Sequence, residues 1–298
     1  MAYFTIMTMQ QTPFYKLHKD PIDRFITTAL QEDIGDGDHT SLSCLSHTQH
    51  SSAKLIAKES GIIAGVDLAQ IIFKHVNDSI QCNLKIQDGS PILPGDIVMT
   101  IEGPQHDLLA TERLVLNCMQ RMSGIATLTH RLSQKIAHTK CVLLDTRKTT
   151  PNFRYPEKWA VNIGGGKNHR IGLFDMIMIK DNHVDYAGGI EKAVQNTVEY
   201  LSDHNLGLKI EVETRSLDEV QEALDTKKVD RIMLDNFTPE QVREAVDLIN
   251  GRTETEASGG ITEETIREYA EAGVDFVSMG ALTHSVASLD LSLKALEI

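Results

Sequence analysis

The chain has 298 residues, 41% of them apolar and 24% charged, so it has ample length for a core and does not have the composition of a disordered chain. Lys and Arg total 29 against 42 Asp and Glu, a net charge of −13 that repels nucleic-acid phosphates and anionic lipid and argues against both as partners. No apolar run approaches the roughly 20 residues of a membrane span, and Met1 to Tyr15 lacks the pattern of a secretory signal. Cys44, Cys82, Cys118 and Cys141 lie too far apart for metal-ligand spacing or a disulfide framework. Reduced thiols in the cytoplasm are the expectation.

From about Lys54 to Gly103 the chain reads as strands. Lys54 to Ala57 and Asp96 to Ile101 are strand-like runs, with turn punctuation at Gly61, Gly65, Asp88-Gly89, Pro94-Gly95 and Gly103-Pro104. Asp107 to about Thr139 contains neither Pro nor a turn cluster. Leu108, Leu109, Val115, Cys118, Met119, Met122, Ile125, Ala126, Leu132 and Ile136 recur there at helical spacing, predicting one long helix or two in line. Ser123-Gly124 marks a kink or a close approach.

After Lys140 strand and helix alternate. Apolar runs at Cys141–Leu144, Met176–Ile179, Leu208–Val212, Arg231–Leu234, Glu256–Ala257 and Phe276–Met279 predict six strands. Ser216 with Glu219 forms a capping-box pattern, and Thr238-Pro239 with Gln241 adds Pro at the first helical position. Thr262 opens the last of these helices and Ala272-Gly273 closes it. Repeated β-then-α units imply parallel strands with right-handed crossovers. Six strands are fewer than a full barrel holds, so the expected fold is α/β with an irregular, incomplete parallel α/β barrel rather than a doubly wound sheet.

In such barrels the site is built where the strands end. Those ends read Asp145-Thr-Arg147-Lys148, Lys180-Asp-Asn-His183, Glu213, Asp235-Asn236, Ser258-Gly259-Gly260 and Gly280. Residues 145–183 hold seven Lys and Arg against four acids, a local excess of positive charge that suits a polyanion. Arg147 and Arg170 have the forked geometry that carboxylates accept, and Gly164-Gly165-Gly166 is a glycine loop whose backbone either approaches a ligand or simply turns. Lys180 reads as a snorkelling edge lysine, an anion clamp or a Schiff-base nucleophile. Glu213 and Asp235 end neighbouring strands and suit ribose hydroxyls, a hard cation such as Mg²⁺ or acid–base work, while a helix-capping role competes for Asp235. The glycines at the last two strand ends suit a phosphate.

Taken in order, these segments resemble the quinolinate phosphoribosyltransferase family. The resemblance runs from about Glu32 to the C-terminus. Its segments are Glu32 to Thr40, Asn117 to Thr127, Asp145 to Pro151, Gly164 to Arg170, Lys180 to His183, Glu211 to Glu213, Leu234 to Asn236 and Glu256 to Gly260. It implies an N-terminal α/β sandwich-like domain with the long helix over residues 1–135, a barrel domain over 136–283, and a tail, 284–298, packing back on the first domain.

The resemblance also implies a reaction: phosphoribosyl pyrophosphate and quinolinate give nicotinate mononucleotide, pyrophosphate and CO₂, with Mg²⁺ and no organic cofactor, in NAD biosynthesis. It places Arg147, His169 and Arg170 at the quinolinate, with Arg121 supplied by the partner of a homodimer or dimer-based oligomer. Lys148 and Lys180 fall near the substrate anions. Glu213 and Asp235 fall on the ribose and metal side, and Ser258, Gly259, Gly260 and Gly280 at the 5′-phosphate. Lys148, Lys180, Glu213 and Asp235 are the expected catalytic residues. Three alternatives stay open: a Schiff-base aldolase using Lys180, a non-catalytic sensor of phosphorylated metabolites, and a phosphoribosyltransferase for another base.

Overall fold

The computed structural model describes residues 13–46 and 49–296, so the reading of the N-terminal segment lies, up to Thr12, outside the described residues. In chain order the first half contains α1 (Pro13–Leu17), α2 (Lys19–Ile34), α3 (His39–Cys44), β1 (His50–Ala57), β2 (Gly61–Ile62) and α4 (Val66–Val76). There follow β3 (Gln81–Leu84), β4 (Pro91–Ile92), β5 (Ile97–Pro104), α5 (Gln105–Ile136), β6 (Val142–Leu144), α6 (Arg154–Ile163) and β7 (Ile177–Ile179). Next come α7 (Asp181–Ala187), α8 (Ile190–Asp203), β8 (Ile210–Thr214), α9 (Leu217–Asp225), β9 (Arg231–Asp235) and α10 (Pro239–Ile249). The chain closes with β10 (Glu254–Ser258), α11 (Ile266–Glu271), β11 (Phe276–Ser278), α12 (Ala281–His284) and β12 (Leu291–Ala295).

These elements form two compact units. The first takes the described residues up to Ala126, the segment Pro151–Ile163, and those from Ala287 onward. Its sheet has the order β12-β1-β5-β3, antiparallel throughout, with Leu55 opposite both Met99 and Leu293. Ala53, Leu55 and Ala57 alternate inward along β1 and are buried, as a half-covered sheet requires. The long apolar pattern forms the single helix α5, not two in line. Leu108, Val115, Cys118, Met119, Met122 and Ile125 line its buried face, whereas Leu109 is exposed. Gly124 marks a close approach: a Cβ there would stand 2.1 Å from the Ala287 carbonyl oxygen.

A second glycine in this unit has a related origin. Gly65, at the N-cap of α4 with φ +91°, faces Met119 and Met122, and a Cβ would lie 3.1–3.3 Å from them. A residue without a side chain cannot cap the helix. Asp88 supplies the cap instead, accepting from Val66 N at 2.8 Å and Asp67 N at 3.2 Å.

The second unit, Thr127–Thr150 and Gly164–Val286, holds six parallel strands in the order β6-β11-β10-β9-β8-β7. Strands β7 to β11 follow chain order across the sheet, and β6 lies beside β11. That is the cyclic order of a barrel, interrupted between β6 and β7. Lys167 continues the parallel pairing on Leu144, and the loop from Lys167 reaches β7 through the Arg170 Nη1 bond to the Met176 carbonyl at 3.1 Å. The expected strand runs coincide with strands, each shifted by a residue or two at its ends. Ser216 and Thr238 cap α9 and α10, the latter with reciprocal bonds to Gln241 at 3.3 and 2.9 Å. Asp235 is not the cap of α10. Helix α11 starts at Ile266, later than Thr262, because Thr262 N donates to Thr265 Oγ1 in a turn that precedes it.

Candidate active site

The C-terminal strand ends of the second unit gather the chemistry. Ile179 pairs with Val212, Glu213 with Met233 and Ser258 with Asp235, so Lys180 and Glu213 are in register at one pair of strand ends, and Asp235 and Ser258 stand together two residues further along the next pair. Lys180 Nζ donates to Glu213 Oε2 at 2.6 Å. Asp235 accepts from Asn236 Nδ2 at 2.6 Å. Burial, then the neighbouring Glu213 charge, raises the Asp235 pKa. Part-exposed Asp235 beside the Lys180-bound Glu213 offers carboxylate oxygens of the kind that hydroxyls and hard cations take, which fits a Mg²⁺-bearing substrate.

On the other side of the barrel, Lys148 lies against the end of β11. A Cβ on Gly280 would stand 2.8 Å from Lys148 Cδ, and the Lys148 carbonyl accepts from Thr283 Oγ1 at 2.8 Å. Gly280 therefore makes room for the lysine stem. Gly259, φ +91°, is packed similarly, since a Cβ there would come within 2.3 Å of Asn236 Oδ1. Gly260 has φ +63° and open space around it.

The basic side of the site is held by Asp145, fully buried at the end of β6. Its two oxygens accept from Asn168 Nδ2 at 2.7 Å and from His169 N at 2.9 Å. These bonds fix the loop that carries Arg170. Burial and then the charge of Arg147 lower the Arg170 pKa, so the Arg170 guanidinium lies within the field of Arg147. Arg147 Nε is a buried donor with no protein acceptor. Two cations and a buried donor without a protein acceptor have the chemistry that suits carboxylates.

His169 departs from a simple pocket lining. It is 7% exposed, and its Nε2 lies 2.9 Å from Glu211 Oε2 and 3.5 Å from Glu256 Oε2, inside the barrel. Arg231 Nη1 bonds the same Glu256 oxygen at 3.0 Å, and its guanidinium carbon sits 4.0 Å over the Phe276 ring. Burial works against a charged His169, yet hydrogen bonds and charge from Glu211 and Glu256 outweigh it and raise its pKa. Burial and the Glu256 charge raise Glu211; burial opposes ionisation of Glu256 too, but His169 holds its pKa low. Glu211, Glu256 and Arg231 are not among the site residues expected from the sequence. The signal was present in the alternation Glu211-Val-Glu213 and Glu254-Thr-Glu256, which puts each pair on one face of a strand.

The positive stretch over 145–183 is dispersed by the fold. Arg154 and Lys158 go to the first unit, where Lys158 is fully buried. Lys167 lines a cavity of about 710 Å³ at the opposite, N-terminal end of the strands, with Lys140, Lys209 and Arg252. Arg147, Lys148, Arg170 and Lys180 remain at the site. Arg121 belongs to the first unit, where its Nε and Nη2 donate to Glu157 Oε1 at 3.1 and 2.9 Å.

Two family models match this chain, the quinolinate phosphoribosyl transferase N-terminal domain over residues 38–123 and its C-terminal domain over residues 125–294. The chain belongs to the quinolinate phosphoribosyltransferase family. It is 49% identical over 284 residues to quinolinate phosphoribosyltransferase [decarboxylating] 1 of Nicotiana glauca, covering 90% of this chain and 81% of that one. It is 48% identical over 284 residues, with the same coverage, to the chloroplastic nicotinate-nucleotide pyrophosphorylase [carboxylating] of Arabidopsis thaliana. Among solved structures, NadC from Streptococcus pyogenes superposes with a TM-score of 0.86 at 37% identity, over 97% of this chain and all of that one. The family fold, a parallel α/β barrel unit and a separate antiparallel sheet, is the fold of this chain.

Proposed function

We propose that the protein transfers the phosphoribosyl group of phosphoribosyl pyrophosphate to quinolinate, with decarboxylation, giving nicotinate mononucleotide, pyrophosphate and CO₂ in NAD biosynthesis. The observation that carries the site assignment is that one set of strand ends holds both a cationic and an anionic cluster. Arg147 and Arg170 form a cationic side, and Glu213 and Asp235 an anionic one. Quinolinate brings two carboxylates and suits the first. The ribose hydroxyls and the developing positive charge at the anomeric carbon suit the second.

The quinolinate nitrogen attacks the anomeric carbon as the bond to pyrophosphate breaks and its electrons leave with pyrophosphate. Lys148 and Lys180 neutralise the anions, and Glu213, held by Lys180, faces the oxocarbenium-like carbon. The alkylated ring then accepts the electron pair released as the C2 carboxylate departs as CO₂, and that carbon takes a proton. No protein nucleophile is needed, so Lys180 acts as a clamp and not as a Schiff base. Ser258, Gly259, Gly260 and Gly280 are assigned to the 5′-phosphate, where bare backbone allows close approach. Glu213 and Asp235 would hold Mg²⁺, directly or through the substrate, and the ion when bound would offset pyrophosphate charge.

Arg121 is assigned to the quinolinate pocket of a partner subunit, which makes the working form a homodimer or a dimer-based oligomer. The four cysteines are free thiols, which supports a reducing compartment, and the cytoplasm is the one proposed. Among the described residues no helix is long and apolar enough to cross a membrane. The test is incubation of the purified protein with quinolinate, phosphoribosyl pyrophosphate and Mg²⁺. Nicotinate mononucleotide and CO₂ in equal amounts are expected. Binding of both substrates without turnover would point to a sensor, and borohydride trapping of a carbonyl substrate on Lys180 would point to an aldolase.

A further inference from the structure

The barrel interior usually stacks branched apolar side chains in layers. Here one layer is ionic, formed by Glu211 on β8, Arg231 on β9 and Glu256 on β10, with His169 reaching in from the loop after β6. Glu211 and Glu256 are fully buried. Buried charges of this kind cost desolvation and are retained where they fix a geometry.

The geometry fixed here is that of Arg170. The Arg170 backbone N–H donates to His169 Nδ1 at 2.7 Å, while His169 Nε2 faces Glu211 Oε2 at 2.9 Å. Against burial, Glu211 and Glu256 raise the His169 pKa, but a proton on Nδ1 would oppose the Arg170 N–H at 2.7 Å, donor against donor, so the geometry is that of the neutral ring with its proton on Nε2. His169 thus accepts from the residue it precedes and turns Nε2 toward the Glu211 carboxylate inside the barrel. With Asp145 gripping the His169 backbone at 2.9 Å, the main chain entering Arg170 is fixed from two directions. The Arg170 side chain is held at its far end by the Met176 carbonyl.

We propose that Glu211 and Glu256 are positioning residues for the quinolinate pocket: they hold the Nε2–H form of His169, and His169 holds the backbone of Arg170. The inference rests on the reading of Arg170 as a quinolinate-binding residue. It assigns His169 a supporting role beneath the pocket, where the family resemblance places it at the ligand.

Steady-state kinetics of Glu211→Gln and Glu211→Ala, with Arg170→Ala as the reference, test it. The amide oxygen of Gln can still face Nε2–H, so Glu211→Gln should raise the quinolinate KM only two- to threefold. Glu211→Ala removes the acceptor and should raise it tenfold or more. In both variants kcat and the phosphoribosyl pyrophosphate KM should stay within about twofold of wild type. A merely structural role would move all three constants together, along with the melting temperature. Should Glu211→Ala not fold, the Gln variant decides alone: a tenfold loss there means that the carboxylate charge, and so an imidazolium, is required, which overturns the proposal. Independently, ¹⁵N spectra of histidine-labelled protein should show one protonated and one unprotonated ring nitrogen for His169. Two protonated nitrogens would also overturn it. If Arg170→Ala leaves the quinolinate KM unchanged, the pocket reading itself fails. If Arg170→Ala raises it and Glu211→Ala does not, only the positioning role fails.

Discussion

Lys180 Nζ sits 2.6 Å from Glu213 Oε2, at the ends of adjacent parallel strands. The pair joins the cation proposed to bind substrate anions to the carboxylate proposed for the ribose side. Glu213→Gln should therefore lower kcat and kcat/KM together while leaving quinolinate binding nearly intact, and Asp235→Asn should do the same. A charge that acts mainly in the transition state is worth roughly 2–4 kcal/mol, a loss of about 30- to 1000-fold. Steady-state constants for both substrates check this; a rise in the quinolinate KM alone, with kcat preserved, contradicts it.

The opposite split is expected on the cationic side. Arg147→Ala or Arg170→Ala should weaken quinolinate binding far more than phosphoribosyl pyrophosphate binding. Each substitution leaves a carboxylate short of a charge-assisted pair, at a cost on the order of 2–4 kcal/mol. Titration calorimetry with each substrate separately measures it. Unchanged quinolinate affinity in both variants would remove these residues from the pocket.

Gly259→Ala should damage the phosphate side. Its φ of +91° is strained for any L side chain, and the new methyl would meet Asn236 Oδ1 at 2.3 Å. Relief requires Asn236 to move, next to Asp235. The expected result is a destabilisation of roughly 1–3 kcal/mol and a higher phosphoribosyl pyrophosphate KM, with quinolinate affinity retained. Thermal melts and substrate-resolved kinetics test both halves.

Asp88, in the first unit, gives a pH dependence of stability. Burial pushes its pKa up to about 7, against the Val66 N–H bond and aided by the Asp67 charge. An unfolded aspartate titrates near ~3.9, so between ~4 and ~7 the folded state binds the extra proton. The protonated cap stabilises fully below the lower value, and that contribution is lost as pH rises through the upper one. Asp88→Asn should flatten the fall of the urea midpoint between pH 5 and pH 8. An unaltered slope in the variant would place the titration elsewhere.

How much of this was legible in the sequence depends on whether the cause was local. The six parallel strands, the caps at Ser216 and Thr238, and the close approach at Gly124 follow from periodicity and turn chemistry over a few residues. Lys180, Glu213 and Asp235 were readable because a barrel brings strand ends together. The ionic layer was not, because alternation shows that Glu211 faces the same way as Glu213 without showing that Arg231 and His169 meet it there. The cluster of positive charge over 145–183 misled in part. Arg154, Lys158 and Lys167 are close to Arg170 along the chain, and the fold sends them elsewhere.

Arg121 poses the remaining question of assembly. Its guanidinium is bound side-on to Glu157, whose carboxylate is fully buried, and this fixes its orientation within the first unit. If Arg121 completes a partner's quinolinate pocket, activity requires the dimer, and two defective chains rescue each other. Mixed Arg121→Ala and Arg170→Ala subunits should form heterodimers with one site lacking both arginines and one site intact. Neither parental homodimer has an intact site, so activity should reappear on mixing and approach half of wild type within the heterodimers. Subunit exchange must first be verified by co-purification through different tags. Verified heterodimers that remain as inactive as their parents would confine Arg121 to its own chain, leaving the Glu157 pair as a structural element of the first unit.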